Sequence, residues 1–145
     1  MMHKLIIALS ALSAFNVFAC TCDYSLPSEY VQEAENILYG RVVGINILKD
    51  NEGKEYQKVT FENPEILKGS SDPVALAYFH NYQDSTCDGR DFKLKTHFIA
   101  FTDNNGWITG FCGGTEPIYE NIGLSKRYLE DIVKSLPNKQ INQDK

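Results

Sequence analysis

Four cysteines, Cys20, Cys22, Cys87 and Cys112, constrain this 145-residue chain more than any other feature. An even number of cysteines in an exported chain reads as a set of disulfides. A bridge between Cys20 and Cys22 would close a ring too tight for normal disulfide geometry. Each of the two is therefore expected to reach Cys87 or Cys112, which leaves two connectivities open. Either closes two long loops, worth roughly 4 to 5 kcal/mol each in the chain-entropy picture. A four-thiolate zinc site is the rival use of these residues, but Cys-x-Cys is not the usual spacing for one.

Export is itself read from residues 1–19. Lys4 supplies a short basic region, Leu5-Ile6-Ile7-Ala8-Leu9 opens an apolar stretch, and Val17-Phe18-Ala19 fits a signal-peptidase site. Ser10, Ser13 and Asn16 interrupt that stretch, so it is too short and polar for a membrane-spanning helix. The mature chain is expected to begin at Cys20 and to be secreted or periplasmic. Lipidation of Cys20 is a second export reading; Phe18 is bulky for it, and it would consume a thiol.

Residues 20–136 are read as one domain and residues 137–145 as a disordered tail. The chain carries 14 Lys and Arg against 19 Asp and Glu, and the basic residues form no cluster. A nucleic-acid or anionic-membrane partner is therefore not expected. A short helix is expected over Pro27–Asn36. Strands are expected over Ile37–Leu48, Tyr56–Leu67, Val74–Phe79, Thr96–Thr102 and Trp107–Cys112. Asp50-Asn51-Glu52-Gly53 and Asp103-Asn104-Asn105-Gly106 read as turns. Gly40 and Gly44 inside the first strand suggest bulges or bends. Leu124, Tyr128, Leu129, Ile132, Val133 and Leu136 recur at helical spacing and read as the core face of a C-terminal helix. Five strands with glycine kinks and a short helix at each end of the set predict a mainly β fold. The expected form is a closed five-stranded barrel of the oligonucleotide/oligosaccharide-binding type, stapled by two disulfides; pattern alone leaves a sandwich open.

Signatures of catalysis are scarce: no His-Glu-x-x-His, Gly-x-Ser-x-Gly or phosphate loop occurs. His97 reads as a structural or surface histidine, His80 lacks a partner motif, and Asp84 and Asp88 read as solvated turn residues. The chain is expected not to be an enzyme and to hold no cofactor.

Several blocks resemble the N-terminal domain of the tissue inhibitors of metalloproteinases and the broader netrin-like modules, which include exported single-domain bacterial members. They are Cys20-Thr21-Cys22, Ile37-Leu38-Tyr39-Gly40-Arg41-Val42-Val43 and Glu65-Ile66-Leu67-Lys68-Gly69, then Asp84-Ser85-Thr86-Cys87-Asp88-Gly89, Phe98-Ile99-Ala100-Phe101 and Asn105-Gly106-Trp107-Ile108-Thr109-Gly110-Phe111-Cys112. The resemblance implies pairings Cys20–Cys87 and Cys22–Cys112. It also implies an inhibitor whose first residue, Cys20, chelates a partner protease's zinc through its α-amine and carbonyl. Thr21 would enter the specificity pocket, and Cys22, Asp23, Asp84, Ser85 and Thr86 would complete the protease-binding wedge. An α-amine with a pKa near 7.7 retains a neutral fraction able to donate to zinc. The partner would be a zinc metalloprotease or another exported protein, with this chain monomeric. The family's cysteine-rich second domain is not expected, since Gly113–Lys145 contains no cysteine. Netrin-like modules also exist as non-inhibitory interaction modules of the envelope or extracellular space, the alternative reading. N-terminal sequencing and intact mass of the exported protein should give an unmodified Cys20 start; a diacylglyceryl adduct would establish the lipoprotein instead.

Overall fold

The computed structural model describes residues 25–69, 73–79, 89–110 and 112–137. Helix α1 (Pro27–Glu33) is followed by strands β1 (Asn36–Lys49), β2 (Glu55–Lys68), β3 (Val74–Tyr78), β4 (His97–Thr102) and β5 (Glu116–Ile118), and helix α2 (Gly123–Ser135) ends the order. All five strands belong to one antiparallel sheet in the order β3-β2-β1-β4-β5.

The long hairpin β1–β2 organises the sheet. Its tip is held by Asp50, whose carboxylate accepts the amides of Glu52 and Lys54, both at 2.9 Å. Further along, the register shifts between Tyr39 and Arg41 and again between Val42 and Gly44. These irregularities fall at the two glycines that suggested bulges, and each bulge bends the strand and adds twist. β2 ends at Gly69, which has φ +75°. A Cβ there would meet Glu35 O at 2.6 Å and Asn36 Oδ1 closer still, so only glycine fits.

Alternation along the strands separates two cores. Leu38, Val42, Val59, Phe61, Ala75, Ala77, Phe98 and Ala100 point to the inner side with Phe92 and Ile108. Ile37, Leu67, Ile99, Phe101 and Ile118 point outward under the helices, against Val31, Ala34 and Ile132. α1 begins with Pro27 in its first turn and with the Glu29 carboxylate accepting the Leu26 amide at 2.8 Å. Its C-terminal carbonyls are met from the sheet: Lys68 Nζ donates to Val31 O (2.8 Å) and Ala34 O (2.6 Å), a cation at the negative end of the helix. On α2, Tyr128, Leu129, Ile132 and Leu136 pack against the outer core, while Leu124 and Val133 are exposed. The packed stripe is thus narrower than the sequence periodicity indicated.

The mainly β composition and both helices agree with the sequence expectation, but the closed barrel does not. The sheet is open, with β3 and β5 at its edges. The expected fifth strand, Trp107–Cys112, is not a strand. Trp107 makes one bridge to Leu76 and Ile108 one bridge to Thr102, after which Gly110, at φ +61°, ends the extended run. The fifth strand is Glu116–Ile118, and it pairs with β4 instead of returning to β3. The expected pair of disulfides also needs correction. No disulfide joins two described residues; Cys112 is disulfide-bonded, and its partner is outside them. Cys20, Cys22 and Cys87, and with them the pairings Cys20–Cys87 and Cys22–Cys112, lie outside the described residues. So do residues 1–19 and 138–145.

One buried amide fastens the segment before β4. Gln57, 2% exposed, donates through Nε2 to Arg90 O at 2.7 Å and accepts the Phe92 amide at 3.2 Å. Gln57→Leu keeps the volume and strands both backbone groups, each costing about 1–3 kcal/mol. A clearly lowered Tm in thermal unfolding is expected, larger than for the exposed neighbour change Lys58→Leu.

Candidate functional site

Among the described residues, the helices pack on the outer face of β1, β4, β5 and the end of β2 at Leu67, and not on that of β3 or of β2 around Tyr56 and Lys58. There the alternation places Tyr56 and Lys58 on β2 and Val74, Leu76 and Tyr78 on β3, all facing outward, while Gln57, Val59, Ala75 and Ala77 face in. Register aligns Leu48, Tyr56 and Tyr78 in one row across three strands. Trp107 joins the row by its bridge to Leu76. The Tyr78 and Trp107 rings stack at 4.8 Å, Tyr56 lies 5.1 Å from Trp107, and Tyr56 meets Tyr78 edge-on at 6.3 Å. All three are partly exposed. Separations of this kind stabilise aromatic pairs beyond their buried area, so the cluster is a preformed platform.

The hairpin tip is tied to this platform. Tyr78 donates its hydroxyl to Asp50 Oδ2 at 2.9 Å, and Lys54 Nζ sits 4.1 Å above the Tyr78 ring centroid, a cation–π contact. The Tyr78 hydroxyl holds the Asp50 carboxyl below the usual carboxylate range, helped by the amides of Lys54 and Glu52 and by the Lys54 charge. The same hydrogen bond raises the Tyr78 phenol.

A groove of about 810 Å³ runs alongside. Leu48, Tyr56, Lys58, Leu76, Val74 and Pro73 line it. Asn36, Thr102 and the turn residues Asn104, Asn105 and Gly106 complete the lining, with the turn joined to β3 where the Leu76 amide donates to Gly106 O at 2.7 Å. Asn36 is buried and donates through Nδ2 to Asp103 O at 2.9 Å, while the Asp103 carboxylate accepts the amides of Asn105 (2.8 Å) and Trp107 (2.9 Å). Asn36 therefore holds the turn to β1, and the Asp103 carboxylate closes the turn on itself.

The residues singled out from sequence fall elsewhere. Cys20, Thr21, Cys22, Asp23, Asp84, Ser85 and Thr86, together with His80 and Asp88, lie outside the described residues. His97 opens β4, stacks on Tyr39 at 5.7 Å and lies 3.9 Å from Glu120. Burial raises the Tyr39 phenol, with Glu120 and Glu65 adding to it. Arg90 pairs with Glu116 and so ties β5 to the segment before β4. Burial raises the Glu116 carboxyl against the pull of Arg90. Among the described residues no three His, Cys, Asp or Glu side chains are grouped to hold a metal ion. No helix there is long and apolar enough to cross a membrane.

Sequence reasoning missed Tyr56, Tyr78 and Trp107 as a group because 51 residues separate the first from the last. The available signal was an aromatic residue in each of two strands that follow one another in sequence. No protein-family model and no curated protein matches the chain.

The linkage of Tyr78 to Asp50 has a definite sign. A lowered carboxyl pKa contributes stability above the ordinary aspartate range, lost as pH falls through that range, below about 4. Tyr78→Phe should move the Asp50 titration upward toward the ordinary value, read from its carboxyl carbon by NMR. An unmoved titration would show that another group holds it down.

Proposed function

We propose that this chain is an exported, non-enzymatic binding protein similar to the tissue inhibitors of metalloproteinases. In this reading it restrains a zinc metalloendopeptidase by placing the α-amine and carbonyl of Cys20 on the protease's catalytic zinc. Thr21 occupies the specificity pocket, and Cys22, Asp23 and Asp84–Thr86 flank it. The support is the sequence order of a cleavage site, Cys-x-Cys and two distant cysteines, joined to one structural observation: Cys112 is disulfide-bonded. Cys112 follows β4 and the Trp107–Ile108 bridges in the chain. A cysteine-anchored N-terminus would hold the amine rigidly and lower the ordering cost of binding. An open protease zinc offers the coordination position that such an amine fills.

A second reading rests on a different observation. The aromatic row Tyr56–Tyr78–Trp107 is partly exposed and has no part in chelation, and it favours a non-inhibitory netrin-like module that binds through its sheet.

The two readings separate at the N-terminus. Adding one alanine before Cys20, or acetylating its amine, should weaken inhibition of a susceptible zinc metalloendopeptidase by about 100-fold or more, the scale of a lost metal contact. Near-ultraviolet circular dichroism should stay unchanged. Equal inhibition by both forms, or inhibition by neither across a panel of zinc proteases, would exclude chelation through Cys20.

A further inference from the structure

We propose that the groove beside the aromatic row is a binding site for a neutral oligosaccharide. The inference is independent of zinc chelation, because it uses only residues of β2, β3 and the Asp103–Gly106 turn.

The chemistry of the lining selects the ligand class. It offers a partly exposed tyrosine ring, Tyr56, together with the apolar side chains of Leu76 and Val74. Sugar rings present just such a need, since their C–H faces are apolar and pack on aromatic rings. The same lining includes Asn104 and Asn105, both exposed. Among the described residues neither side-chain amide is engaged in a hydrogen bond within the chain. Each amide supplies a carbonyl acceptor and two N–H donors, the complement of vicinal hydroxyls that both donate and accept. A groove pairing an apolar floor with a few placed polar groups is the general form of a small-ligand site.

The competing occupants fit less well. A nucleic acid or a sulfated polymer needs several cations along its path, and the groove lining contributes one, Lys58. An extended peptide that adds to a sheet needs an open edge of backbone donors and acceptors. Along the groove that edge is already used: the Leu76 amide donates to Gly106 O at 2.7 Å, and the Ile108 amide donates to Leu76 O at 2.9 Å. A purely apolar ligand would leave the Asn104 and Asn105 amides dehydrated without partners, which is costly.

The platform is also rigid before any ligand arrives. Tyr56 is packed against Trp107 and Tyr78, and the turn is held by the Asp103 carboxylate. Little ordering is left to oppose a weak, repeated contact with a glycan chain.

Trp107 is the one tryptophan of the chain, so its indole N–H resonance and fluorescence report on Tyr56 beside it. The full exported chain is titrated with chitotetraose and, separately, maltotetraose, with affinity taken from calorimetry. At least one tetrasaccharide should produce saturable shifts at Trp107 and Asn105 at concentrations up to roughly millimolar. Tyr56→Ala should weaken that binding roughly tenfold, the scale of a lost stacking contact. Asn105→Ala, a change on an exposed turn, should weaken it several-fold and keeps the test readable if Tyr56→Ala fails to fold. The extra alanine before Cys20 should leave sugar binding unchanged, which separates this site from the chelation reading. Absence of shifts with both sugars, or binding that survives Asn105→Ala undiminished, overturns the proposal.

Discussion

The pairing of β1 with β4, Ile37 to Phe101 and Leu38 to Ala100, is the contact on which the rest of the structure depends. Ile37, Leu38, Ile99, Ala100 and Phe101 are all fully buried, although adjacent residues in a strand face opposite sides. Both sides of this strand pair must therefore be covered. The inner side is covered by the curl of β2 and β3, and the outer by the two helices. Neither cover is stable without the other. Removing the helices would expose Ile99 and Phe101, and flattening the sheet would expose Leu38 and Phe98. Lys68 connects the two layers, since it belongs to β2 and caps the carbonyl end of α1.

This arrangement leaves one part of the sheet uncovered, and the residues there solve the problem locally. Tyr56, Tyr78 and Trp107 shield one another; Asp50 from the hairpin tip accepts the Tyr78 hydroxyl, and Lys54 lies over the Tyr78 ring. Tyr128 shows the opposite solution under the helices. Its phenol is strongly raised by burial and donates to Gly114 O at 2.7 Å, so it remains a neutral hydrogen-bond donor inside the outer core.

The sequence makes the long hairpin legible because its signals are local. Asp50 to Gly53 carries the turn chemistry, and the β-rich runs on either side have matching length. Gly40 and Gly44 mark the bends for the same reason. The last strand is not legible. Pro117 sits in the middle of Glu116–Ile118 and argues against a strand, and tertiary contact through Arg90 and Glu116 overrides it. Trp107 to Cys112 misleads in the other direction, since its β-forming residues meet a positive-φ glycine at 110 before a ladder can form. Of the candidate sites, the cysteine wedge is read from spacing alone and its residues lie outside the described part. The aromatic platform is a product of register, and the β1–β2 ladder carries three register shifts whose exact placement no single-sequence pattern specifies.

Pro117 carries one more consequence. β5 is a sheet edge only three residues long, and its central residue has no amide hydrogen. An incoming strand from another molecule would find a missing donor in the middle of the short edge it needs to copy. For an acidic chain rich in β-structure, this is a safeguard against edge-to-edge aggregation at concentration. The residue that hides the strand from a reader of the sequence also hides it from neighbouring molecules.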